Sequence, residues 1–159
     1  MELIKYPNKI LRGKTKKIKT PIPREILNML PEMIKVLHSN NGMGLAAPQI
    51  GKSVRLCIIE NDGIIYTFIN PTITSQSKKK NISEEGCLSF PGKFFPIERA
   101  SGVKLRYLDE NGNKCKIKAE GLFARAIQHE TDHLDGILFI DKKTKNAKRS
   151  STKKPAKKQ

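Results

Sequence analysis

The sequence predicts an α+β fold, because two helical patterns lie at either end of a central part that is rich in β-strand patterns. Residues 23–39 and 121–135 carry apolar side chains at helical spacing. Between them, two pairs of strand-like segments are each joined by a short turn rich in Asn and Gly. A chain of 159 residues fits one domain with a substantial hydrophobic core.

The first helical stretch, residues 23–39, begins near a proline and ends in Asn40-Asn41-Gly42, a helix-stop signal. Its apolar positions are Ile26, Leu30, Met33, Ile34 and Leu37. Pro31 interrupts the pattern, and an interior proline removes a backbone hydrogen bond. We therefore expect a kink or two short helices here.

The strand-like segments form two antiparallel hairpins. SVRLCIIE and IIYTFINP flank Asn61-Asp62-Gly63, whose composition suits a tight turn. VKLRYLD and KCKIKAE flank residues 110–113 in the same way. Cys57 and Cys115 alternate within these strands, where a free cysteine behaves as a small hydrophobe.

The second helical stretch, residues 121–135, carries two histidines on its apolar side. At about 100° per residue, the side centred on His129 also holds Leu122, Ala126, His133, Glu130, Phe123, Leu134 and Ile127. The opposite side holds Gln128, Thr131, Asp132, Arg125 and Asp135, and we expect it to face solvent. We assign no catalytic role to Asp135. Burial of Glu130 is costly unless a positive group lies beside it.

Histidines at positions i and i+4 project side by side from a helix, so His129 and His133 can converge on one cation. Glu130 can then act as a proton shuttle for water activated by that cation. The alternative is two core histidines that are hydrogen-bonded to the backbone, beside a partly exposed acid.

A third metal ligand must come from upstream of this helix. No glutamate follows Glu130, and Phe139 stands where the pattern HExxHxxGxxH has its last histidine. The candidates are His38, at the end of the first helix, and Cys87, in the loop or strand end SEEGCLSFPG. One Cys and two His would leave a fourth position for water, as in a catalytic site.

The stretch NGMGLAAPQIG, residues 41–51, consists mostly of small residues that allow the backbone to approach a ligand closely. Gln49 supplies an amide donor that suits a developing oxyanion. The alternative is a helix exit followed by a strand entrance.

Cysteine usage and hydropathy predict a cytoplasmic protein. The three cysteines cannot all pair and none belongs to a CxxC motif, which indicates a reducing compartment. No stretch is long and apolar enough for a membrane span, and MELIKYPNKILRGK lacks the apolar run of a signal peptide. We expect neither a membrane partner nor an organellar precursor.

Three blocks, GMGLAAPQIG, EEGCLSFPG and QHETDHLDG, closely resemble in sequence and order the signature blocks of the peptide deformylase family, as does the opening IKYPNKILR. The resemblance covers about residues 3–141. It implies an α+β fold with antiparallel sheets around a central metal-binding helix and an N-terminal helix. Residues 1–141 would form a single catalytic domain, followed by a basic tail of residues 142–159.

The resemblance also implies an activity, namely removal of the N-formyl group from the initiator methionine of nascent polypeptides with release of formate. Cys87, His129 and His133 would bind one divalent metal ion, natively Fe²⁺, with Zn²⁺, Ni²⁺ or Co²⁺ able to replace it. Glu130 would be the general base, and Gln49 and the backbone N–H of Leu88 would hold the oxyanion. Positions that match the substrate pocket are Met43, Gly44, Gly86, Leu122, Ala126 and, near the pocket, Arg99.

Two residues depart from the family pattern. Pro31 is unusual in the first helix, and Arg125 replaces a position near the pocket that is often apolar, so substrate preference could differ. A metallopeptidase and a catalytically idle RNA-associated protein are the alternatives; the first lacks its downstream ligand, and the second requires three complete blocks to be vestigial.

The tail, residues 142–159, contains nine of the 31 Lys and Arg residues and no acid, while the formal net charge is +16 for the chain and +7 for residues 1–141. Such a composition is expected to stay disordered alone. The tail is either a solubilising extension or a contact with ribosomal RNA near the peptide exit.

Overall fold

The computed structural model describes residues 1–144, which form an α+β fold as predicted. The helices and strands are α1 (Arg24–Ser39), β1 (Gly44–Ala46), β2 (Leu56–Asn61), β3 (Ile64–Gln76), β4 (Lys80–Cys87), β5 (Phe90–Ala100), β6 (Gly102–Leu108), β7 (Lys114–Glu120) and α2 (Gly121–Leu134). Short 3₁₀ helices span Lys9–Arg12, Ala47–Ile50 and Phe139–Lys142. None of the helices within residues 1–144 combines the length and apolar composition needed to cross a membrane.

The strands of residues 1–144 all pair antiparallel, in two sheets. One sheet has five strands in the order β1-β2-β3-β6-β7, and β4 and β5 form a separate hairpin. Both predicted hairpins are confirmed, with Asn61 opposite Ile64 in one and Leu108 opposite Lys114 in the other. The β4–β5 hairpin was not predicted, because Gly and Pro residues in SEEGCLSFPG resemble a loop in sequence.

Helix α1 continues through Pro31, so the prediction of two short helices is wrong. Pro31 lies on the exposed side of the helix. An interior proline costs about 3 kcal/mol, because one hydrogen bond is lost and the ring clashes with the preceding turn. The buried residues of α1 are Ile26, Met29, Leu30, Met33, Val36 and Leu37. Since each such burial contributes about 1.5–3 kcal/mol, packing outweighs the proline. The helix ends at Ser39, as the stop signal predicts.

The five-stranded sheet has a helix on each face. Along β2, Cys57 and Ile59 belong to the core cluster that includes α2, whereas Leu56 and Ile58 belong to the cluster that includes α1. Because side chains alternate between the two faces of a strand and both faces are buried, β2 is apolar at successive positions. The sheet therefore holds α2 in the interior of the molecule.

The expectation that one side of α2 faces solvent is wrong for Arg125, Gln128 and Thr131, which are all buried. The reason is that β5 packs along this side of the helix. The Gln128 side chain accepts from the backbone N–H of Ala100 at 3.0 Å and donates to its carbonyl at 2.9 Å. Leu122, expected on the buried side, is instead 56% exposed.

Residues 142–144 contact α2 and the β4–β5 hairpin. Lys142 lies 3.1 Å from the Asp132 carboxylate, Lys143 forms a β-bridge with Ile97, and the Thr144 N–H donates to the Pro96 carbonyl at 3.0 Å. Residues 145–159 lie outside the described part, so most of the predicted tail does too. The boundaries 1–141 and 142–159 stay a prediction.

Replacement of Phe68 tests the packing of the core beneath α2. It is fully buried and lies against Tyr66, Tyr107 and Phe123. Replacing Phe68 with alanine leaves a cavity, so we expect the free energy of unfolding to fall by about 3–5 kcal/mol. The measurement is urea denaturation followed by circular dichroism.

The matched control is Ile64→Ala on the same strand, where the side chain is 57% exposed. We expect it to change the free energy of unfolding by less than about 0.5 kcal/mol. Equal effects of the two substitutions would contradict the described core.

Candidate metal centre

The two histidines of α2 lie close to the thiol of Cys87 at the end of β4. Cys87, His129 and His133 each offer one ligand atom, and these three atoms lie within 4.8 Å of one another. The Cys87 Sγ lies 3.2 Å from the His133 Nε2. All three side chains are buried. The spacing of the histidines by one helical turn and the burial of the thiol together make a compact set of three donors.

A break in the β4–β5 ladder accompanies Cys87. Gly86 pairs with Phe94, whereas the next residue, Cys87, pairs with Phe90, so β5 advances four residues while β4 advances one. Such irregularities bend a strand and redirect its side chains. The hairpin thus brings its thiol to α2 at the point where the regular pairing ends.

His129 is oriented by Glu85, a buried carboxylate on β4. The His129 Nδ1 lies 2.8 Å from the Glu85 Oε1, so an Nδ1–H donor leaves the Nε2 lone pair free for a metal. Burial by itself raises the pKa of Glu85, but hydrogen bonds from Arg99 and His129 hold that pKa well below its ordinary value. Glu85 therefore remains ionised beside the imidazole.

Two buried arginines hold Glu85. Arg99 donates from Nε at 2.8 Å and from Nη2 at 2.9 Å, and Arg125 donates from Nη1 at 2.6 Å. Arg125 also donates to the carbonyls of Ile97 and Asn81, at 3.0 and 3.1 Å. Fork-shaped guanidinium groups suit this bidentate arrangement.

These contacts place both arginines beside Glu85. Arg99, expected near the substrate, has a side chain only 2% exposed, and it contacts Glu85 and the Asp132 carboxylate, the latter at 2.6 Å. Arg125 is buried instead of lying on a solvent side, because it joins α2 to the β4–β5 hairpin. Both act on His129 through Glu85.

Glu130 is 2% exposed and lies next to the histidine. Within residues 1–144 its Oε1 has no hydrogen-bond partner. Burial, the largest cause, raises the pKa of Glu130 to about 7. A carboxyl group with such a pKa can both accept and release a proton near neutral pH. Its free oxygen marks a place for a ligand or a water molecule.

His133 also has a buried ring nitrogen, Nδ1, without a hydrogen-bond partner among residues 1–144. Burial and the neighbouring His129 hold the pKa of His133 well below its ordinary value. The ring is therefore neutral, which is the form that binds metal ions.

Gly44 gives Glu130 its space. A Cβ atom at Gly44 would lie 2.5 Å from the Glu130 Oε2 and 2.9 Å from its Cδ, closer than atoms can pack. Gly44 pairs with Ile59 in the sheet, so its backbone cannot easily retreat. A glycine is thus required where β1 passes the carboxylate.

Gln49 lies with its amide nitrogen toward Cys87. Its Oε1 accepts from the backbone N–H of Ala46 at 2.9 Å, and its Nε2 lies 3.1 Å from the Ser89 Oγ and 3.7 Å from the Cys87 Sγ. The contact with a backbone donor determines which end of the amide faces the thiol. The Ser89 hydroxyl in turn donates to the Ile4 carbonyl at 2.7 Å.

The remaining expected residues lie around this centre in different settings. Met43 and Ala126 are buried in one core cluster. Gly86 is buried beside Cys87, Leu88 is partly buried against the cluster that includes α1, and Leu122 is exposed at the start of α2.

The structure does not bring His38 to the centre. Its Nε2 lies 3.1 Å from the Glu60 Oε1 on β2, and its side chain is 53% exposed. Phe139 instead lies beside the centre, with its ring centroid 5.8 Å from that of His129. The position that is a histidine in HExxHxxGxxH is thus an aromatic residue that packs beside His129.

Sequence reasoning missed Glu85, Asp132 and Ser89 as parts of the site. Glu85 and Ser89 flank Cys87 within EEGCLSFPG, at two residues on either side, which is the periodicity of one strand face. That spacing was the available signal. Nothing in the sequence pairs Glu85 with a particular arginine or histidine.

The family model described as polypeptide deformylase matches residues 1–149. The chain belongs to the peptide deformylase family. It is a metallohydrolase that removes the N-formyl group from nascent polypeptides. The Cys-His-His group is consistent with a divalent metal ion.

The similar proteins include bacterial and chloroplastic peptide deformylases. The peptide deformylase of Thermodesulfovibrio yellowstonii is 43% identical over 147 residues, which are 89% of this chain and 88% of the relative. The chloroplastic peptide deformylase 1B of Oryza sativa is 40% identical over 147 residues, 89% of this chain and 54% of the relative. The crystal structure of peptide deformylase from Thermotoga maritima is similar with a TM-score of 0.86 and 35% identity, covering 90% of this chain and 97% of that one.

Gly44→Ala tests the packing of β1 against Glu130. The added methyl group must displace the carboxylate, and a shift of about 1 Å at a reacting group can cost about 100-fold in rate. We expect formate release to fall roughly 10- to 100-fold while the metal content stays unchanged.

The control is Gly13→Ala, where the nearest atom to a new Cβ would be 3.6 Å away, an ordinary contact. It is expected to keep full activity. Full activity of Gly44→Ala would show that Glu130 does not need its described position.

Proposed function

We propose that the chain hydrolyses the formyl amide of N-formyl-methionyl nascent peptides at the centre formed by Cys87, His129 and His133. The proposal rests on the convergence of three donor atoms within 4.8 Å and on the buried, unpartnered Oε1 of Glu130, the residue that follows His129 on α2. A formyl amide is small and terminal, so this chemistry needs space for one residue rather than a long cleft.

The residues present fit a divalent metal ion. One thiolate and two imidazoles are the ligand types that zinc and other borderline metals prefer, and three protein ligands leave a coordination position open. Family membership favours Fe²⁺, with Zn²⁺, Ni²⁺ or Co²⁺ able to replace it. When bound, the metal supplies Lewis-acid polarisation of the formyl carbonyl and lowers the pKa of water.

Glu130 carries the proton through the reaction. Its carboxylate takes a proton from the attacking water as the water oxygen bonds to the formyl carbon. The carboxylic acid then gives that proton to the amine nitrogen as the C–N bond breaks, which releases formate and a free N-terminus. A pKa of about 7 suits both transfers near neutral pH.

Gln49 and Leu88 stabilise the oxyanion that forms on the formyl oxygen. The Gln49 Nε2 and the backbone N–H of Leu88 are the two donors in this proposal. Support comes from the hydrogen bond between Ala46 N–H and the Gln49 Oε1, because it holds the amide with its donor end toward Cys87. A donor that is oriented in advance costs no rearrangement during the reaction.

The methionine side chain of the substrate would be bound by Met43, Gly44, Gly86, Leu122 and Ala126. The 56% exposure of Leu122 supports this assignment, because an apolar side chain at the start of α2 is available to cover a substrate. Arg99 is assigned a supporting role through Glu85 instead of direct substrate contact.

The compartment we propose is the cytoplasm of a bacterial-type cell. All three cysteines are free thiols, and one of them is a proposed ligand that must stay reduced. Named relatives include bacterial and chloroplastic forms, both compatible with a reducing compartment.

A pair of variants separates proton transfer from metal binding. In Glu130→Gln the side-chain volume is kept but the general base is lost, so we expect formate release from a short formyl-Met peptide to fall about 100-fold or more. Its metal content, measured on an anaerobic preparation, should equal that of the unmodified protein. Normal turnover of this variant would remove Glu130 from the mechanism.

Cys87→Ala is the complementary variant. The loss of one of three ligands should abolish stoichiometric metal binding together with activity. Cys115→Ala is the control, because this thiol lies in β7 away from the proposed ligands. Retention of the metal by Cys87→Ala would contradict the proposed ligand set.

We further propose that the basic tail contacts ribosomal RNA, through its residues 145–159, and so brings the enzyme to its substrate. Residues 145–159 contain seven Lys and Arg residues and no acid. The support is this charge, since polycations bind RNA phosphates in a salt-dependent manner.

Deletion of residues 145–159 tests the tail. Cutting after Thr144 keeps the contacts of Lys142 and Lys143 with the folded domain. We expect unchanged hydrolysis of a short formyl peptide and a ribosome affinity that is at least about tenfold lower at low salt. Equal ribosome affinity with and without the tail would reject this role.

A further inference from the structure

Among residues 1–144, the elements on the α1 side of the five-stranded sheet cover only part of that face. Strands β1, β2 and β3 present apolar residues such as Leu45, Ile58 and Ile69 to the cluster that includes α1. The segment before α1 reaches the β6–β7 turn, where a Cβ at Gly112 would lie 3.7 Å from the Thr20 side chain. Beyond Leu108, which packs against the same cluster, β6 and β7 present no apolar side chain to this face.

Five cations occupy the uncovered part, which we call the basic face. They are Lys104 and Arg106 of β6 and Lys114, Lys116 and Lys118 of β7, and all are exposed. Their neighbours Val103, Leu105 and Ala119 point to the opposite side of the sheet, into the core cluster that includes α2. The one acid at corresponding positions is Glu120, at the end of β7.

The cations stand directly opposite one another. Lys104 pairs with Lys118 and Arg106 pairs with Lys116 in the antiparallel register. Like charges at such positions are destabilising, since the Cβ atoms of directly opposed residues lie about 5 Å apart. None of these side chains takes part in an ion pair within residues 1–144.

Protection of a sheet edge explains only part of this pattern. Lysines on an edge strand prevent pairing with other chains, and β7 is an edge strand. Strand β6 is internal, however, and Lys104 and Arg106 on it add repulsion without protecting any edge. An anionic partner would convert that repulsion into attraction.

We propose that the basic face binds the phosphate backbone of ribosomal RNA, at a site separate from the proposed tail contact. Charge complementarity supports RNA, because rows of cations spaced about 5–7 Å apart suit a chain of closely spaced phosphates. A membrane surface fits less well, because the exposed large apolar residues among 1–144 are Met1, Tyr6, Ile64, Ile82, Phe94 and Leu122, none of them on this face.

The placement agrees with catalysis on a nascent chain. The basic face lies on the side of the sheet opposite α2, which carries His129 and His133. RNA bound there would leave the metal centre uncovered. The inference rests on the proposed function only for its choice of ribosomal RNA as the partner.

The test uses the full chain with four substitutions, Lys104→Gln, Arg106→Gln, Lys116→Gln and Lys118→Gln. The control carries Lys9→Gln, Lys14→Gln, Lys35→Gln and Lys52→Gln, which remove the same charge from exposed positions elsewhere. Binding to protein-free ribosomal RNA and to ribosomes is measured at several salt concentrations. Urea denaturation and formate release from a short formyl-Met peptide are measured on both variants.

We expect the basic-face variant to bind both probes at least about tenfold more weakly. Its log affinity should also depend less steeply on log salt, by about 0.7 for each phosphate that the protein no longer neutralises. The control should bind less than about threefold more weakly. Formate release should be unchanged in both variants, and the basic-face variant should be at least as stable to urea, because repulsion is relieved.

Equal weakening in the two variants would overturn the proposal, because total charge would then explain the binding. Unchanged binding by the basic-face variant would also overturn it. Binding that depends on these four residues for vesicles with anionic phospholipid, but not for RNA, would assign the face to a membrane instead. If the unmodified protein itself released no formate, that result would count against the proposed function alone, since RNA binding is measured independently.

Discussion

The structure of the metal centre depends on one buried carboxylate. Glu85 of β4 accepts hydrogen bonds from Arg99 of β5 and from Arg125 and His129 of α2. Removal of one partner from a buried charged group costs several kcal/mol, about 3–5 in measured cases. These contacts hold the hairpin that carries Cys87, which belongs to a separate sheet, against the helix that carries the histidines. The orientation of His129 and the position of the thiol therefore depend on the same group.

Charge is distributed unevenly between the interior and the surface. Within the interior, Glu85 and Asp132 balance Arg99 and Arg125, and burial raises the pKa of the neighbouring Glu130. On the outside, the basic face of β6 and β7 has almost no acidic partners. The interior pairs are short and compensated because burial of a single charge is costly. Water and dissolved salt weaken the repulsion between the surface charges without removing it.

The sequence by itself determined the elements whose signals are local. The two hairpins follow from alternation around Asn-Gly and Asp-Gly turns, and His129, Glu130 and His133 follow from spacing on one helix. It also limited the third metal ligand to Cys87 or His38. No glutamate follows Glu130, and Phe139 stands where HExxHxxGxxH has its last histidine. Periodicity and turn chemistry act over a few residues, so they can be recognised without the rest of the fold.

Only the tertiary structure decided which distant groups meet. The family resemblance had already named Cys87 as a ligand, and the structure places that thiol, rather than His38, beside the histidines. It also encloses Arg125, which the helical pattern had placed on a solvent side, and pairs Arg99 with Glu85. A helical wheel shows which residues share a face, but not that β5 covers the polar face as well. The physical reason is that burial of a polar side chain depends on partners contributed by other strands, and local sequence carries no record of them.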